Sequence, residues 1–493
     1  MVLKLDRNDK KPLYLQIKAQ LADLIETGIL PAESRLPATR EFSECLGVSR
    51  NTVVLAYQEL EIGGLMTSRV GKGAFVNKCL PRREKYPEGI LKPKMHYEGL
   101  FSTGWMRSSA SLLPSLEQIS DAEGDPDTIS LASALPDRDL FPLGEFKDCL
   151  NSAMRRYGAD LLTYGPPAGF GALLEYLPSF LAKRSIVCRS DELMIVSGIQ
   201  QGLSLLGKLF IDPGDTVILE NLTYPGALRM FRSLQANCIG IALDAEGIRV
   251  DILENVLKRK NVKMIYTIPT FHNPTGTILS IERRKAMVEL CRKHQVIIVE
   301  DDYAHELGFE GKEPLPLKAW DDCDGIIYLG SFSEILFPGI RLSFILAPRR
   351  ILEKLIIIKQ SSDLYTNRIL QGALLEFCRK GFLAKHLKRK RLVYRKRRDA
   401  LLEALGRYFK EDFTWQKPSG GLFQWVDLPA NIDALNFLME ARERKVVFAP
   451  DRIFSVEERE RGGFRLGFAN VQEEKIDRAV KILGEVLKEM LIK

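Results

Sequence analysis

Apolar positions divide the chain into three stretches. In residues 1–78 they recur at helical spacing. Leu13, Ile17, Leu21, Leu24 and Ile25 mark one face of a helix over Leu13–Thr27, stopped at Gly28. A short helix follows within Leu36–Leu46 and closes at Gly47. Ser49 suits the N-cap of a third, with an inward stripe of Val53, Ala56, Tyr57 and Leu60 and an end at Gly63-Gly64. Leu65–Arg69, the turn Val70–Gly73 and Ala74–Val76 then predict a hairpin. In residues 79–127 the period is lost, broken by Pro81, Pro87, Gly89, Pro93, Gly99, Gly104, Pro114, Gly124 and Pro126, which predicts a long linker. In residues 128–493 short β-branched runs alternate with helical segments. Strands are predicted at Leu193–Ser197, Thr216–Leu219, Val262–Ile268, Val296–Val299, Ile326–Leu329 and Leu342–Leu346. Continuous apolar strands between helices predict an α/β fold, a mostly parallel sheet with helices on both faces.

Two short helices joined by a tight glycine turn and followed by a hairpin form a winged helix-turn-helix. Ser49, Arg50, Asn51 and Thr52 open its second helix, the end that enters a major groove. Arg50 suits guanine edges or phosphate, and Ser49 and Thr52 suit phosphate oxygens. Arg40, at the start of the first helix, and Lys72, at the wing tip, suit backbone phosphates. The segments PLYLQIKAQLADLIETGIL, RLPATREFSECLGVSRNTV and GKGAFV closely resemble the GntR-type winged helix-turn-helix. That resemblance implies a double-stranded DNA operator as partner.

Composition sharpens this only in part. The 493 residues are 45% hydrophobic and 27% charged, ordinary for a globular chain and against wholesale disorder. No apolar run suggests a membrane span, and MVLKLDRNDKKPLY lacks the apolar core of a secretory signal. The eight cysteines show no metal-ligand spacing, so reduced thiols and a cytoplasmic location are expected. The net charge is +7, but Arg379–Arg398 alone holds eleven Lys and Arg and no acid, which leaves −4 for the rest. Residues 1–78 carry only +2. The basic segment reads either as a solvated helix face around Phe382, Leu383, Leu387 and Val393 or as a surface along flanking DNA.

The third stretch carries spaced polar motifs at strand ends, where parallel-sheet proteins place ligands. They are Tyr164-Gly165-Pro166-Pro167, Ser197-Gly198-Ile199-Gln200 opening a helix, Asn273-Pro274-Thr275-Gly276, Glu300-Asp301-Asp302-Tyr303, Ser331-Phe332-Ser333-Glu334 with Arg341 beyond, and Phe464-Arg465-Leu466-Gly467. In that order they resemble fold-type I pyridoxal-phosphate aminotransferases, with a smaller C-terminal α/β subdomain. With the winged helix in front, the chain looks like a MocR-like regulator, a homodimer whose aminotransferase-like domain senses a small effector. The implied domains are 1–78, DNA-binding; 79–127, linker; and 128–493, effector-binding and dimerising. The resemblance implies that Asp301 pairs with the pyridine nitrogen, that Asn273 and Tyr303 bond the ring hydroxyl and that Tyr224 stacks on the ring. It gives the phosphate to Ser331, Ser333, Arg341 and the helix start at Gly198 and Ile199, with Tyr164 reaching in from the partner subunit. Arg465 would clamp the carboxylate of an amino-acid effector.

One departure matters most. Where that family has the Schiff-base lysine, this chain has Glu334, and no lysine stands nearby in 331–348. That lysine forms the internal Schiff base and then shuttles the proton, and a carboxylate cannot form an imine. Ala134 and Ser343 also stand where the family usually has glycine. Transamination by the usual route is therefore not expected. Pyridoxal 5'-phosphate or pyridoxamine 5'-phosphate, if bound, would be held non-covalently, and the protonated amine of the second suits Glu334. A transcriptional regulator is the leading reading. The alternatives are an enzyme using Glu334 as acid or base with pyridoxamine phosphate and an appended DNA-binding domain, and a purely structural dimerisation domain.

Overall fold

The computed structural model describes residues 3, 5–7, 11–26, 29–69, 73–77, 125, 127–133, 135–311, 313–409, 413–457 and 462–492. They fall into two compact units, one within residues 1–100 and one within 101–493. Apart from Asp125 and Asp127, the predicted linker lies outside the described residues, as do Thr27, Gly28, Lys72 and Ala134.

The first unit is α1 (Leu13–Glu26), α2 (Thr39–Leu46), α3 (Arg50–Ile62), β1 (Met66–Arg69) and β2 (Gly73–Val76). Ile17, Leu21, Phe42, Val53, Ala56 and Leu60 interlock at its centre, all at most 1% exposed. Each such aliphatic side chain contributes about 1.5–3 kcal/mol by leaving water. The second helix starts at Thr39 rather than Leu36, because Leu36 N–H donates to the Ala74 carbonyl (2.9 Å) and ties that segment to the wing. Gly47 ends α2 in the left-handed conformation, φ +61°, open to a residue without a Cβ. Ser49 caps α3 by accepting from Thr52 N–H at 3.2 Å.

In the second unit a seven-stranded sheet is built from β3 (Leu193–Val196), β4 (Thr216–Glu220), β5 (Asn237–Ile241), β6 (Val262–Thr267), β7 (Ile297–Asp302), β8 (Ile326–Ser331) and β9 (Ser343–Leu346). Their order is β3-β9-β8-β7-β6-β4-β5, parallel throughout except that β9 runs antiparallel to both neighbours. Two predicted strands run further than their apolar residues. Strand β7 continues through the acids to Asp302, with Asp301 opposite Leu329, and β8 continues to Ser331, opposite Ser343. Ladder pairing carries those polar residues into the sheet. Helix α4 (Ile199–Phe210) follows β3. A smaller antiparallel sheet, β10 (Phe423–Asp427), β11 (Ala449–Pro450) and β12 (Gly463–Gly467), is ordered β10-β12-β11.

The basic segment lies in the 27-residue helix α5 (Phe382–Tyr408). It is neither a simple solvated face nor a uniform basic surface. His386, Lys390, Arg397 and Arg398 are buried, with Arg397 2.7 Å from Asp137 and Arg398 paired with Glu310 and Asp399. Lys385, Lys388, Arg389, Arg395 and Lys396 are exposed and form no ion pair among the described residues. No helix among the described residues is long and apolar enough to cross a membrane, and no metal-ligand cluster occurs among them.

Candidate functional site

The C-terminal ends of β7 and β8, the start of α4 and the small sheet enclose a cavity of about 400 Å³. One end is built for an anion. Gly198 joins β3 to α4 at φ +91°, and the Arg341 guanidinium occupies the space a Cβ there would need. Arg341 is itself held by donating to the Ser197 carbonyl (3.1 Å). Ile199 and Gln200 line the cavity from the first turn of α4, where amides lack intrahelical acceptors. Ser331 Oγ accepts from Ser333 N–H (3.1 Å) and lies 3.0 Å from the Ser343 hydroxyl. The Ser333 hydroxyl is buried with no partner among the described residues.

The floor is acidic. Asp301 Oδ2 accepts from the Tyr266 hydroxyl (2.7 Å), while Oδ1 is buried with no partner among the described residues. Burial, reinforced by Glu334, Asp302 and Glu220 and opposed by the Tyr266 bond, pushes Asp301 up to about 8. An unpaired acceptor at that depth suits a ligand N–H donor. Glu334 lines the same cavity, and burial raises its carboxyl while Lys390 opposes the rise. Lys390 comes from α5, fully buried, and donates to the backbone carbonyls of Glu334 (2.7 Å) and Leu336 (3.1 Å). At the opposite wall Arg465 donates to Asn273 Oδ1 (2.9 Å) and the Ala132 carbonyl (2.8 Å), its guanidinium over the Phe423 and Phe454 rings. Tyr303 donates to the Phe271 carbonyl (2.8 Å).

In the first unit Arg50 and Asn51 are exposed at the start of α3. Arg40 is exposed and lies 3.6 Å from Glu44. The Ser49 hydroxyl is occupied by the cap and lies 2.8 Å from the Thr52 hydroxyl, so those two residues shape the helix start before they meet any phosphate.

Residues 129–483 match the family described as aminotransferase class I and II. The chain belongs to that family. Residues 13–76 match the bacterial regulatory proteins of the gntR family, so a GntR helix-turn-helix precedes an aminotransferase unit, the arrangement of MocR-like regulators. Aromatic-amino-acid aminotransferase 1 of Thermococcus litoralis is 37% identical over 83% of this chain and 99% of its own length. The uncharacterized HTH-type transcriptional regulator YdcR of Escherichia coli is 30% identical over 97% of this chain and 99% of its own. The crystal structure of Pyrococcus horikoshii kynurenine aminotransferase in complex with PMP, at 39% identity, superimposes with a TM-score of 0.77 over 80% of this chain and 98% of that one.

The aminotransferase unit brings together Ile199, Tyr224, Asn273, Asp301, Tyr303, Ser331, Ser333, Glu334, Arg341 and Arg465 around one cavity, with Gly198 beside Arg341. Tyr164 does not join them. It is 77% exposed and stacks edge-on against Tyr365 at 5.6 Å. Three contributors escape the sequence reading. Tyr266 is one residue of a buried strand and carries no motif. Lys390 sits inside a cationic run that reads as solvent-facing. In the GntR unit, exposed Arg35 packs its guanidinium against Gly73 at the wing, though it opens the quoted RLPATREF segment.

Proposed function

We propose that this protein is a DNA-binding transcriptional regulator whose aminotransferase unit binds a phosphorylated B6 vitamer without covalent attachment. The observation that carries the reading is a single cavity holding an anion cradle at one end, the unpartnered Asp301 Oδ1 at the floor and a carboxylate, Glu334, between them. Glu334 is the residue we place at the position of the family's lysine. Full-length similarity to HTH-type regulators such as YdcR supports the regulatory role.

The residues fit pyridoxal or pyridoxamine phosphate. Arg341, Ser331, Ser333 and the α4 amides would hold the phosphate, and Asp301 the ring nitrogen. Tyr224 would lie against the ring, with Asn273 and Tyr303 at its hydroxyl. When bound, the cofactor supplies an electron-poor ring. Arg465 would receive an amino-acid carboxylate, exchanging its bonds to Asn273 and Ala132 for bidentate ones. Glu334 offers an acceptor to an ammonium and no amine to a carbonyl, so the unit reports on a ligand rather than turning it over. The exposed Tyr164 supports a homodimer in which it completes the partner's site, and a dimer presents two winged helices to two half-sites. Ligand control of DNA affinity requires different affinities in two states of that dimer.

Gel-shift titration of the full chain against its own upstream DNA, without ligand and with each vitamer, tests this. A ligand-dependent change of affinity is expected; unchanged affinity under every ligand overturns sensing and leaves DNA binding standing. The presence of Arg465, Asn273 and Asp301 around one cavity favours a second reading, an enzyme that uses Glu334 as acid or base with pyridoxamine phosphate. Turnover of amino-donor and keto-acid pairs would establish it.

A further inference from the structure

A lysine from another element reaches the turn that carries Glu334. Helix α5 sends Lys390 beneath the turn that follows β8. Its Nζ is bonded to the carbonyls of Glu334 and Leu336, fully buried, and 5.8 Å from the Tyr394 ring centroid. No carboxylate lies within 4.0 Å of it among the described residues, although a buried ammonium needs an anion. Backbone carbonyls supply dipoles, not a charge. Its neighbour one turn back, His386, is also buried and is held down to about 4, so it adds no charge at neutral pH. Through the turn, the Glu334 side chain acts on Lys390 most strongly of the acids, ahead of Asp137, and it lines the cavity.

Each group is the principal electrostatic support of the other. Burial brings Lys390 down to about 7, and Glu334 leads the opposing effects. Burial raises Glu334, and Lys390 leads the opposition there. A backbone amide, Arg341 and Ser331 act on Glu334 in the same sense, while Asp301 is a further acid lining the same cavity. Glu334 therefore lines the cavity while Lys390 lies behind the turn that carries it.

We infer that Lys390 is a specificity-determining positioning residue, which keeps Glu334 a carboxylate and so makes the cavity select a phosphorylated pyridine bearing a primary ammonium over its aldehyde and alcohol counterparts. The ammonium gives Glu334 a charge-assisted hydrogen bond. An aldehyde oxygen would face a carboxylate oxygen, acceptor against acceptor, and an alcohol offers one neutral donor. This deepens the proposed function and rests on its reading of the cavity as a B6-phosphate site.

The test is calorimetric titration of the full-length protein with pyridoxamine 5'-phosphate, pyridoxal 5'-phosphate and pyridoxine 5'-phosphate. The readout is the ratio of affinities, because a merely structural role would weaken all three alike. Wild type is expected to bind the amine form about tenfold tighter or more. Glu334→Gln should bring the three to within about twofold while keeping pyridoxine phosphate binding. Lys390→Gln, which retains an N–H donor for the two carbonyls, should shrink the ratio towards that of Glu334→Gln. Should that variant fail to fold, Lys390→Arg is the second, and the ratio should survive because the cation does. Equal binding of the three vitamers by wild type would overturn the inference and leave the B6-phosphate reading intact. An unchanged ratio in folded Lys390→Gln, or a lost one in Lys390→Arg, would remove Lys390 from it. Binding of none would sink the underlying reading itself.

Discussion

Arg341 occupies the space that a side chain on residue 198 would need, and Gly198 makes room for it at φ +91°. The glycine does two jobs. It adopts a backbone conformation that costs other residues about 1–3 kcal/mol, and it lets a guanidinium approach the first turn of α4. Both jobs end on the anion cradle. Gly198→Ala should therefore weaken binding of any phosphorylated vitamer by about tenfold or more and lower the thermal midpoint. Calorimetry on the full chain checks it; wild-type affinity in the variant would show that Arg341 does not hold the phosphate.

Asp301 makes ligand-free stability depend on pH. Its carboxyl titrates at about 8 in the fold, above its ordinary value of 3.8. The folded state therefore holds a proton that the unfolded chain has already released across that window. The contribution is fully present below about pH 4 and is lost as pH rises towards 8, with a slope of at most about 1.4 kcal/mol per pH unit. Asp301→Asn removes this dependence. Thermal midpoints of the two proteins from pH 5 to 9 should diverge upward, the variant gaining relative to wild type. Parallel curves would place an ionised Asp301 in the empty cavity. The same variant should lose vitamer affinity, because an amide pairs poorly with a pyridinium.

How far the sequence reveals this site depends on what kind of signal each residue sends. The β-branched runs give away β3, β4, β6 and β8, because strands covered on both faces are apolar throughout. The edge strand β5, Asn-Cys-Ile-Gly-Ile, carries a glycine and a terminal polar residue and is not among the predicted ones. The ends of β7 and β8 read as loops because Asp301, Asp302 and Ser331 are polar; ladder pairing overrides that preference. Lys390 is illegible for a different reason. It lies 56 residues from Glu334 in sequence, in a run whose composition suggests solvent on every side. Only the packing of α5 separates its buried cations from its exposed ones.

Reading of DNA sequence should rest on α3. Arg50 is exposed at its start, clear of the Ser49–Thr52 cap. Arg50→Ala is expected to cost about 1–3 kcal/mol of operator binding and to relax preference at one base position, while leaving the fold unchanged. Competition gel shifts with single-base operator variants measure both effects. A uniform loss across all sequences would assign Arg50 to phosphate instead.

The outward face of α5 offers Lys385, Lys388, Arg389, Arg395 and Lys396 without ion-pair partners among the described residues. Such a stripe adds non-specific affinity for flanking DNA if phosphates reach it. Lys390 must be left out of any charge-removal variant, since it is buried beneath the turn that carries Glu334. Changing Lys388, Arg389, Arg395 and Lys396 to Gln should flatten the dependence of log affinity on log salt by about 0.9 for each phosphate no longer neutralised. An unchanged slope would leave the stripe as a solvated face.

The charge of the cavity also decides whether it can hold an aldehyde covalently. In wild type, borohydride treatment with pyridoxal phosphate should leave no adduct on residue 334, because a carboxylate cannot add to the aldehyde. Glu334→Lys places an amine among Asp301, Ser331, Ser333 and Arg341, which are already arranged around the cavity. It also removes one of the acids that raise Asp301, so Asp301 should ionise more readily and pair better with the ring nitrogen. Lys390 would lose its principal anion and fall below about 7, tending to give up its proton instead of repelling the new amine. The variant should therefore gain a visible absorbance band with pyridoxal phosphate and a borohydride-stable adduct located by peptide mass spectrometry. An adduct at the variant position would show that the rest of the pocket is intact. A stoichiometric wild-type adduct on Lys390, the buried lysine beside Glu334, would overturn the role assigned to Glu334.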